Sequence, residues 1–297
     1  MSSATTLRKI RQIELRTRKL VNNSFAGAYH AVFKGRGIVF DAVRPYEPGD
    51  DVRDIDWKVT ARAGEPFVRR YIEERELTVM LVLDTSASFR FGTVGMQKRD
   101  LAAEFGAVLA MSAITNNDKV GLLLFSDTVE LFIPPRKGRK HVLRLIRELL
   151  AAPAEHRRTD IGLALQMLRR YLKRRAIVFF ISDFLADLAP IERDFVALGR
   201  EHDVIAVVTT DALEQQFPDV GLVAIRDAEG GGVQWVDTHT NGWQGAFAQR
   251  AESRVETRTQ VFLRAQMDSI LLDSRFDYVR ALTQFFQRRG AQKRRAT

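Results

Sequence analysis

Apolar runs of strand length recur along this chain from residue 77 onward, and stretches of helical spacing separate them. LTVMLVLD (77–84), KVGLLLFSD (119–127), RAIVFFISD (175–183) and DVIAVVTTD (203–211) are the clearest, and VGLVAIRD (220–227) reads as a fifth. A short run that is apolar at nearly every position fits a strand covered on both faces. Helices are predicted over 97–116, 139–152, 160–174 and 188–201; in the first, Leu101, Phe105, Val108, Leu109 and Ser112 share a face. VELFIP (129–134) should pair with the second run as a hairpin. Strands alternating with amphipathic helices predict an α/β fold, doubly wound around a mostly parallel sheet. In such folds crossovers are right-handed and ligands bind beyond the carboxyl ends of the strands.

The flanks are patterned differently. Residues 1–76 are expected to form an N-terminal helix, with Leu7, Ile10, Ile13, Leu15 and Leu20 inward, followed by a β-rich elaboration. Gly35, Gly37, Pro45, Pro48, Gly49 and Gly64 break that elaboration into short strands and turns. The core is expected over 77–227 and a C-terminal, largely helical extension over 228–297. Within the extension, 243–266 reads as a polar helix and SILLD (269–273) as a last strand. A closing helix over 275–289 should turn Phe276, Val279, Leu282, Phe285 and Phe286 inward. The glycines of EGGGVQWVD precede a strand and no helix, so they make no phosphate loop.

Composition narrows the classes. The chain has 297 residues, 45% of them apolar, enough for a substantial core, and no cysteine. Disulfides, thiolate metal sites and a cysteine nucleophile are therefore excluded, and a reducing, cytoplasmic setting is expected. No apolar run approaches the roughly 20 residues of a membrane helix. The formal charge of +9 is concentrated near the ends, from Arg8 to Lys19 and from Arg288 to Arg295. These basic ends offer a peripheral contact to acidic lipid through the N-terminus, or keep the protein dispersed as solvated tails. Without interleaved aromatics or a zinc-finger spacing they do not specify nucleic acid.

The chemistry gathers around DTSAS, residues 84–88. In extended backbone, side chains two apart point the same way, so Asp84, Ser86 and Ser88 can converge. Hydroxyl and carboxylate oxygens suit a hard dication such as magnesium (Mg2+), manganese or calcium. Three ligands leave a coordination shell incomplete. Thr159 before a helix and Asp183 at the end of the third run are candidates from the same sheet edge, with Asp160 as an alternative to Thr159. Against the metal stands capping, since Asp, Ser and Thr commonly end strands and start helices.

DxSxS after the first core strand, a Thr in a later loop and an Asp after the next strand resemble the metal-ion-dependent adhesion site of von Willebrand factor A domains. RPYEPGDDVRDIDWKVTARAGEPFVRRY (44–71) is similar to the signature of the DUF58 family, bacterial proteins with a von Willebrand factor A-like domain. PPRKGRKHVLRLIRELL and DYVRALTQFFQRR are similar to that family as well. The resemblance spans roughly residues 30–290 and implies a metal set of Asp84, Ser86, Ser88, Thr159 and Asp183. The hydroxyls would be direct ligands, with the acids either direct or behind water. It further implies a non-enzymatic, divalent-metal-dependent protein–protein interaction module. Relatives of this kind work with MoxR-type AAA+ ATPases in chaperone-like maturation or assembly of client proteins. A Glu or Asp of the ATPase or client would reach the ion. Longer relatives carry membrane helices ahead of the signature, where this chain has only the basic helix.

Other chemistries are weaker. The histidines at 30, 141, 156, 202 and 239 form no HExxH, and neither a GxSxG elbow nor a GxxxxGK[ST] loop is present. His156 near Thr159 could act as a base beside a metal, although a surface histidine in a basic helix-entry segment is the better account. A magnesium-dependent hydrolase or phosphatase using Asp84 and Asp183 is the alternative, lacking a second acid where Ser86 stands. A basic nucleic-acid scaffold ranks third. Asp50, Asp51, Asp54 and Asp56 lack an EF-hand spacing and should pair with Arg44, Arg53 or Arg62, with Tyr46 and Trp57 packing nearby.

Overall fold

Two units divide the chain, Phe33–Leu77 and the remainder. A computed structural model describes residues 29, 32–33, 38–73, 76–93, 96–152, 158–227, 230 and 232–295. The expected N-terminal helix and His156 lie outside these residues.

In the smaller unit, β1 (Ile38–Pro45) pairs antiparallel with β2 (Phe67–Glu73), with a register shift between Phe40 and Ala42. Between them run a 3-10 turn, Val52–Asp54, and α1 (Trp57–Ala63). The acid cluster is used locally, in part as expected: the Arg44 pair forms, while Asp51 and Asp56 serve as caps. Asp50 takes the Arg44 guanidinium at 2.6 Å. Asp56 caps α1 through Lys58 N and Val59 N and pairs with Arg69, a partner the sequence did not suggest. Gly64, at φ 78°, ends α1 in the left-handed region that a side chain disfavours. Trp57 does not pack; it is 65% exposed.

The larger unit is built on a six-stranded sheet. Its elements in order are β3 (Thr78–Asp84), α2 (Lys98–Thr115), β4 (Lys119–Phe125), β5 (Val129–Arg136), α3 (Arg139–Ala151) and α4 (Ile161–Tyr171). There follow β6 (Ile177–Ser182), α5 (Glu192–Glu201), β7 (Asp203–Thr210) and the short α6 (Ala212–Gln215). β8 (Leu222–Arg226), β9 (Val233–Asp237), α7 (Trp243–Arg264), β10 (Asp268–Asp273) and α8 (Tyr278–Arg295) complete it. The sheet order is β10-β7-β6-β3-β4-β5, parallel throughout except for the β4–β5 hairpin. This is the doubly wound, mostly parallel α/β sheet expected.

Both sheet faces are covered, which explains the continuous apolar runs. Met80, Val82, Phe125, Val178, Phe180 and Ala206 pack against α4, α5 and α7 through Leu165, Phe195 and Phe262. Val79, Leu81 and Leu83 alternate to the other side and are equally buried. There α2 lies so close that Gly106 sits against Leu149 of α3 and Ile181 of β6. Each fully buried Val, Leu, Ile or Phe contributes about 1.5–3 kcal/mol, so this sandwich dominates stability.

Two expectations change. VGLVAIRD is not a core strand: β8 pairs only with β9 in a separate two-stranded ribbon with half-exposed residues. The place beside β7 goes to β10, whose Ile270 and Leu272 are buried. Phe276 is 63% exposed, because α8 starts at Tyr278 and leaves it in the preceding turn. Tyr278, Leu282, Phe285 and Phe286 carry the inward face instead. No helix among the described residues is long and apolar enough to cross a membrane.

The chain leaves β3 for β4 and β5 on one side and returns to β6 and β7 on the other. The carboxyl end of β3 is therefore the switch point, where open α/β sheets leave a crevice.

Candidate functional site

Asp84 is the last residue of β3 at that switch point and is 1% exposed. Its Oδ1 accepts the Ser86 amide at 2.9 Å and its Oδ2 accepts the Ser182 hydroxyl from β6 at 2.8 Å. Thr85 fixes the turn to β4 by donating its amide and its hydroxyl to the Phe125 carbonyl, each at 2.8 Å. The backbone then tightens into a 3-10 turn, Ala87–Arg90, so Ser88 is not in extended chain as the alternation argument assumed. The turn still delivers the expected convergence: Ser86 Oγ and Ser88 Oγ are 3.0 Å apart, both buried.

Capping does not explain these hydroxyls. Ser86 occupies the N-cap position of the turn without a side-chain capping bond. Thr159 is not the cap of α4 either; that role falls to Asp160, whose Oδ1 accepts Leu163 N at 3.0 Å. Asp160 also donates its amide to the Ser126 carbonyl just past β4, bringing the Thr159 loop to the same sheet edge. Thr159 is half-buried there.

Asp183 follows β6 directly and reaches a cation that sequence reasoning missed. Lys98, the first residue of α2, is wholly buried and donates from Nζ to Asp183 Oδ2 at 2.8 Å and to Glu214 Oε1 at 2.5 Å. The other oxygens are also used: Asp183 Oδ1 accepts Leu185 N and Glu214 Oε2 accepts Asp211 N. Phe184 stands between them at φ 52°, a left-handed conformation unfavourable for a bulky residue. Rings of Phe180, Phe195 and Phe262 surround it, the last at 5.0 Å, and hold the turn that presents Asp183.

Electrostatics separates the two acids. Burial, then the nearby Asp183 charge, pushes the Asp84 carboxyl up to about 7, against the hydrogen bonds from Ser86 and Ser182. No cationic side chain pairs with Asp84 among the described residues. Burial alone would lower the Lys98 ammonium, but Asp183 and Glu214 outweigh it and hold it above its ordinary value. Glu214 is raised by burial despite Lys98. Burial lowers Arg258 of α7, with Asp183 and Glu214 opposing.

The donor set fits a hard dication. No group of three or more His, Asp or Glu side chains with metal-holding geometry occurs among the described residues, so an ion here would depend on hydroxyls. Asp84, Ser86 and Ser88 supply a buried carboxylate lacking a countercharge and two adjoining hydroxyls. Thr159 lies on the neighbouring loop, while Asp183 is already partnered by Lys98. Lys98 shares a helical stripe with Leu101 and Phe105, three and seven residues on, and that spacing was the available signal for its burial.

The family model for "Protein of unknown function DUF58" matches residues 42–257. A Mycobacterium tuberculosis protein described as uncharacterised is 37% identical over 228 residues, covering 76% of this chain and 71% of that one. Among solved structures the chain is similar to a conserved hypothetical protein, BatB, from Bacteroides thetaiotaomicron. That match has 16% identity and a TM-score of 0.49, covering 74% of this chain and 100% of that one. It is also similar to mussel byssus proximal thread matrix protein 1, described with a zinc-occupied MIDAS motif. There the identity is 19% and the TM-score 0.36, covering 45% and 38% of the two chains. With more than half of its length matched by the family model, the chain belongs to the DUF58 family.

Proposed function

We propose that this protein is a non-catalytic, divalent-ion-dependent protein-interaction module working in the cytoplasm. Asp84, Ser86, Ser88 and Thr159 would hold magnesium or a similar dication, with Asp183 behind them. One observation carries the reading: a buried carboxylate without a countercharge lies beside two hydroxyls 3.0 Å apart that cap nothing. When bound, the ion would supply an electrophilic centre with a position open to a carboxylate from outside.

The protein's own residues prepare that exchange. Ser182 and the Ser86 amide orient Asp84, so its carboxylate need not reorganise. Lys98 offsets part of the charge of Asp183 and Glu214, so an incoming acid meets less repulsion. The partner proposed is a MoxR-type AAA+ ATPase, or its client, contributing an acidic side chain in chaperone-like maturation or assembly. A hydrolytic role for Asp84 is less well supported, because Ser86 stands where a second acid would serve as general acid.

Magnesium titration by calorimetry, followed by capture of the AAA+ ATPase in magnesium and in chelator, tests this reading. Wild type should bind one ion, Ser86→Ala and Asp84→Ala should lose it with the fold intact, and capture should follow the ion. Equal capture in chelator by wild type would overturn the proposal.

A further inference from the structure

Asp183 also lines a small cavity of ≈ 30 Å³ that Asp84, Ser86, Ser88 and Thr159 do not line. Asp183, Phe184 and Leu185 after β6, Thr210 at the end of β7, Gln215 of α6, and Arg254 and Arg258 of α7 are among the residues that line it. The volume accommodates one or two waters or the tip of a side chain, and not a nucleotide.

Arg258 gives this cavity its chemistry. It is half-buried, and among the described residues its guanidinium has no hydrogen bond and no ion pair. Two carboxylates that also line the cavity, Asp183 and Glu214, lie close enough to influence it, yet neither pairs with it. Asp183 spends its oxygens on Lys98 Nζ and Leu185 N, and Glu214 spends its own on Lys98 Nζ and Asp211 N. Lys98 and Arg258 balance these two acids, and Arg254, one turn earlier on α7, adds a positive charge at the mouth. Gln215 donates its side-chain amide to Thr210 Oγ1 at 3.3 Å. Thr209 also lines the cavity, and its buried hydroxyl oxygen has no partner. A half-buried planar fork of unused donors can bind an incoming anion without giving up another protein partner.

We infer that this cavity receives a single carboxylate, carried by an acidic side chain of a partner protein, with Arg258 as the main donor and Arg254 as the second. The inference rests on the interaction-module reading for the source of the carboxylate, but not on the ion. The partner would then present two acids, one for the ion and one for Arg258, and their spacing would set specificity.

The test uses the full chain with ¹⁵N-labelled arginine and follows the Arg258 Nε–Hε resonance. The probes are the blocked peptide Gly-Glu-Gly, its Gly-Gln-Gly counterpart, sodium acetate and inorganic phosphate. The glutamate peptide should shift the resonance saturably, acetate should compete with it, and the glutamine peptide should have no effect. Arg258→Gln should weaken the glutamate peptide roughly thirtyfold, with Arg258→Lys in between. Binding of the glutamine peptide, preference for phosphate over the glutamate peptide, or indifference to Arg258→Gln would each overturn the inference. Every titration is run in magnesium and in chelator. Arg258-dependent binding that persists in chelator supports the cavity even if the ion reading fails. Magnesium-dependent binding that ignores Arg258→Gln rejects the cavity while leaving the ion reading intact.

Discussion

Burying Asp84 without a countercharge should make the ion-free protein less stable as pH rises. Well below pH 3.8 this carboxyl is protonated in both the folded and the unfolded chain. Between the ordinary value of 3.8 and about 7 the unfolded chain loses its proton while the folded chain keeps it, so unfolding is increasingly favoured. A shift of that size corresponds to about 4 kcal/mol lost by pH 7.5. Asp84→Asn removes the titration and keeps an acceptor for the Ser86 amide, and the Ser182 hydroxyl can turn to accept from the new amide. Urea unfolding of both proteins in chelator from pH 4 to pH 7.5 isolates Asp84 together with its interaction with Asp183, because titrating groups remote from the pair cancel in the difference. The variant should gain on wild type by about 4 kcal/mol across that range. Magnesium at a hundredfold excess over its dissociation constant should return about 2.7 kcal/mol to wild type at pH 7.5 and nothing to the variant. Below pH 7 that benefit should shrink, because the proton competes for the same carboxylate. A difference that stays flat with pH, or equal stabilisation of the variant by magnesium, would refute the argument.

Two further outcomes are expected. Lys98→Met leaves the buried Asp183 and the half-buried Glu214 without their shared ammonium; it should cost about 3–5 kcal/mol in urea unfolding near neutral pH. Part should return on acidification, as Glu214, already held above its ordinary value, takes up a proton; a loss that does not depend on pH would argue against charge as the cause. Gly199→Ala drives a methyl group into the Ala265 carbonyl where α5 meets the end of α7. It should cost about 1–3 kcal/mol while leaving magnesium affinity unchanged, and calorimetry beside thermal melts would show whether the two separate.

Strands β3, β4, β6 and β7 were legible because burial on both faces leaves no polar position to blur the run. The convergence of Asp84 and Asp183 on one edge followed from parallel topology alone. What escaped was any charged residue standing on an apolar stripe. Lys98 precedes Arg99 and Asp100 and reads as a solvated helix start, yet it continues the Leu101 and Phe105 face onto the sheet. Arg258 repeats the pattern on α7 between Val255 and Phe262, in a helix whose overall polarity suggested a solvent-facing element. VGLVAIRD misled for the opposite reason: Leu222–Ile225 is continuously apolar, yet β8 leaves every position exposed or half-exposed, and no local signal says which sheet a strand will join.

β10 has a consequence for how the molecule is made. It supplies the outer neighbour of β7 over six paired positions, from Asp268 against Ile205 to Asp273 against Thr210. Its residues leave the ribosome long after β7 has emerged. Until then the nascent chain carries a long, apolar, unpaired margin, which α7 can shield on one face but cannot hydrogen-bond. Synthesis halted before residue 268 would leave that margin open to whichever extended segment arrives first.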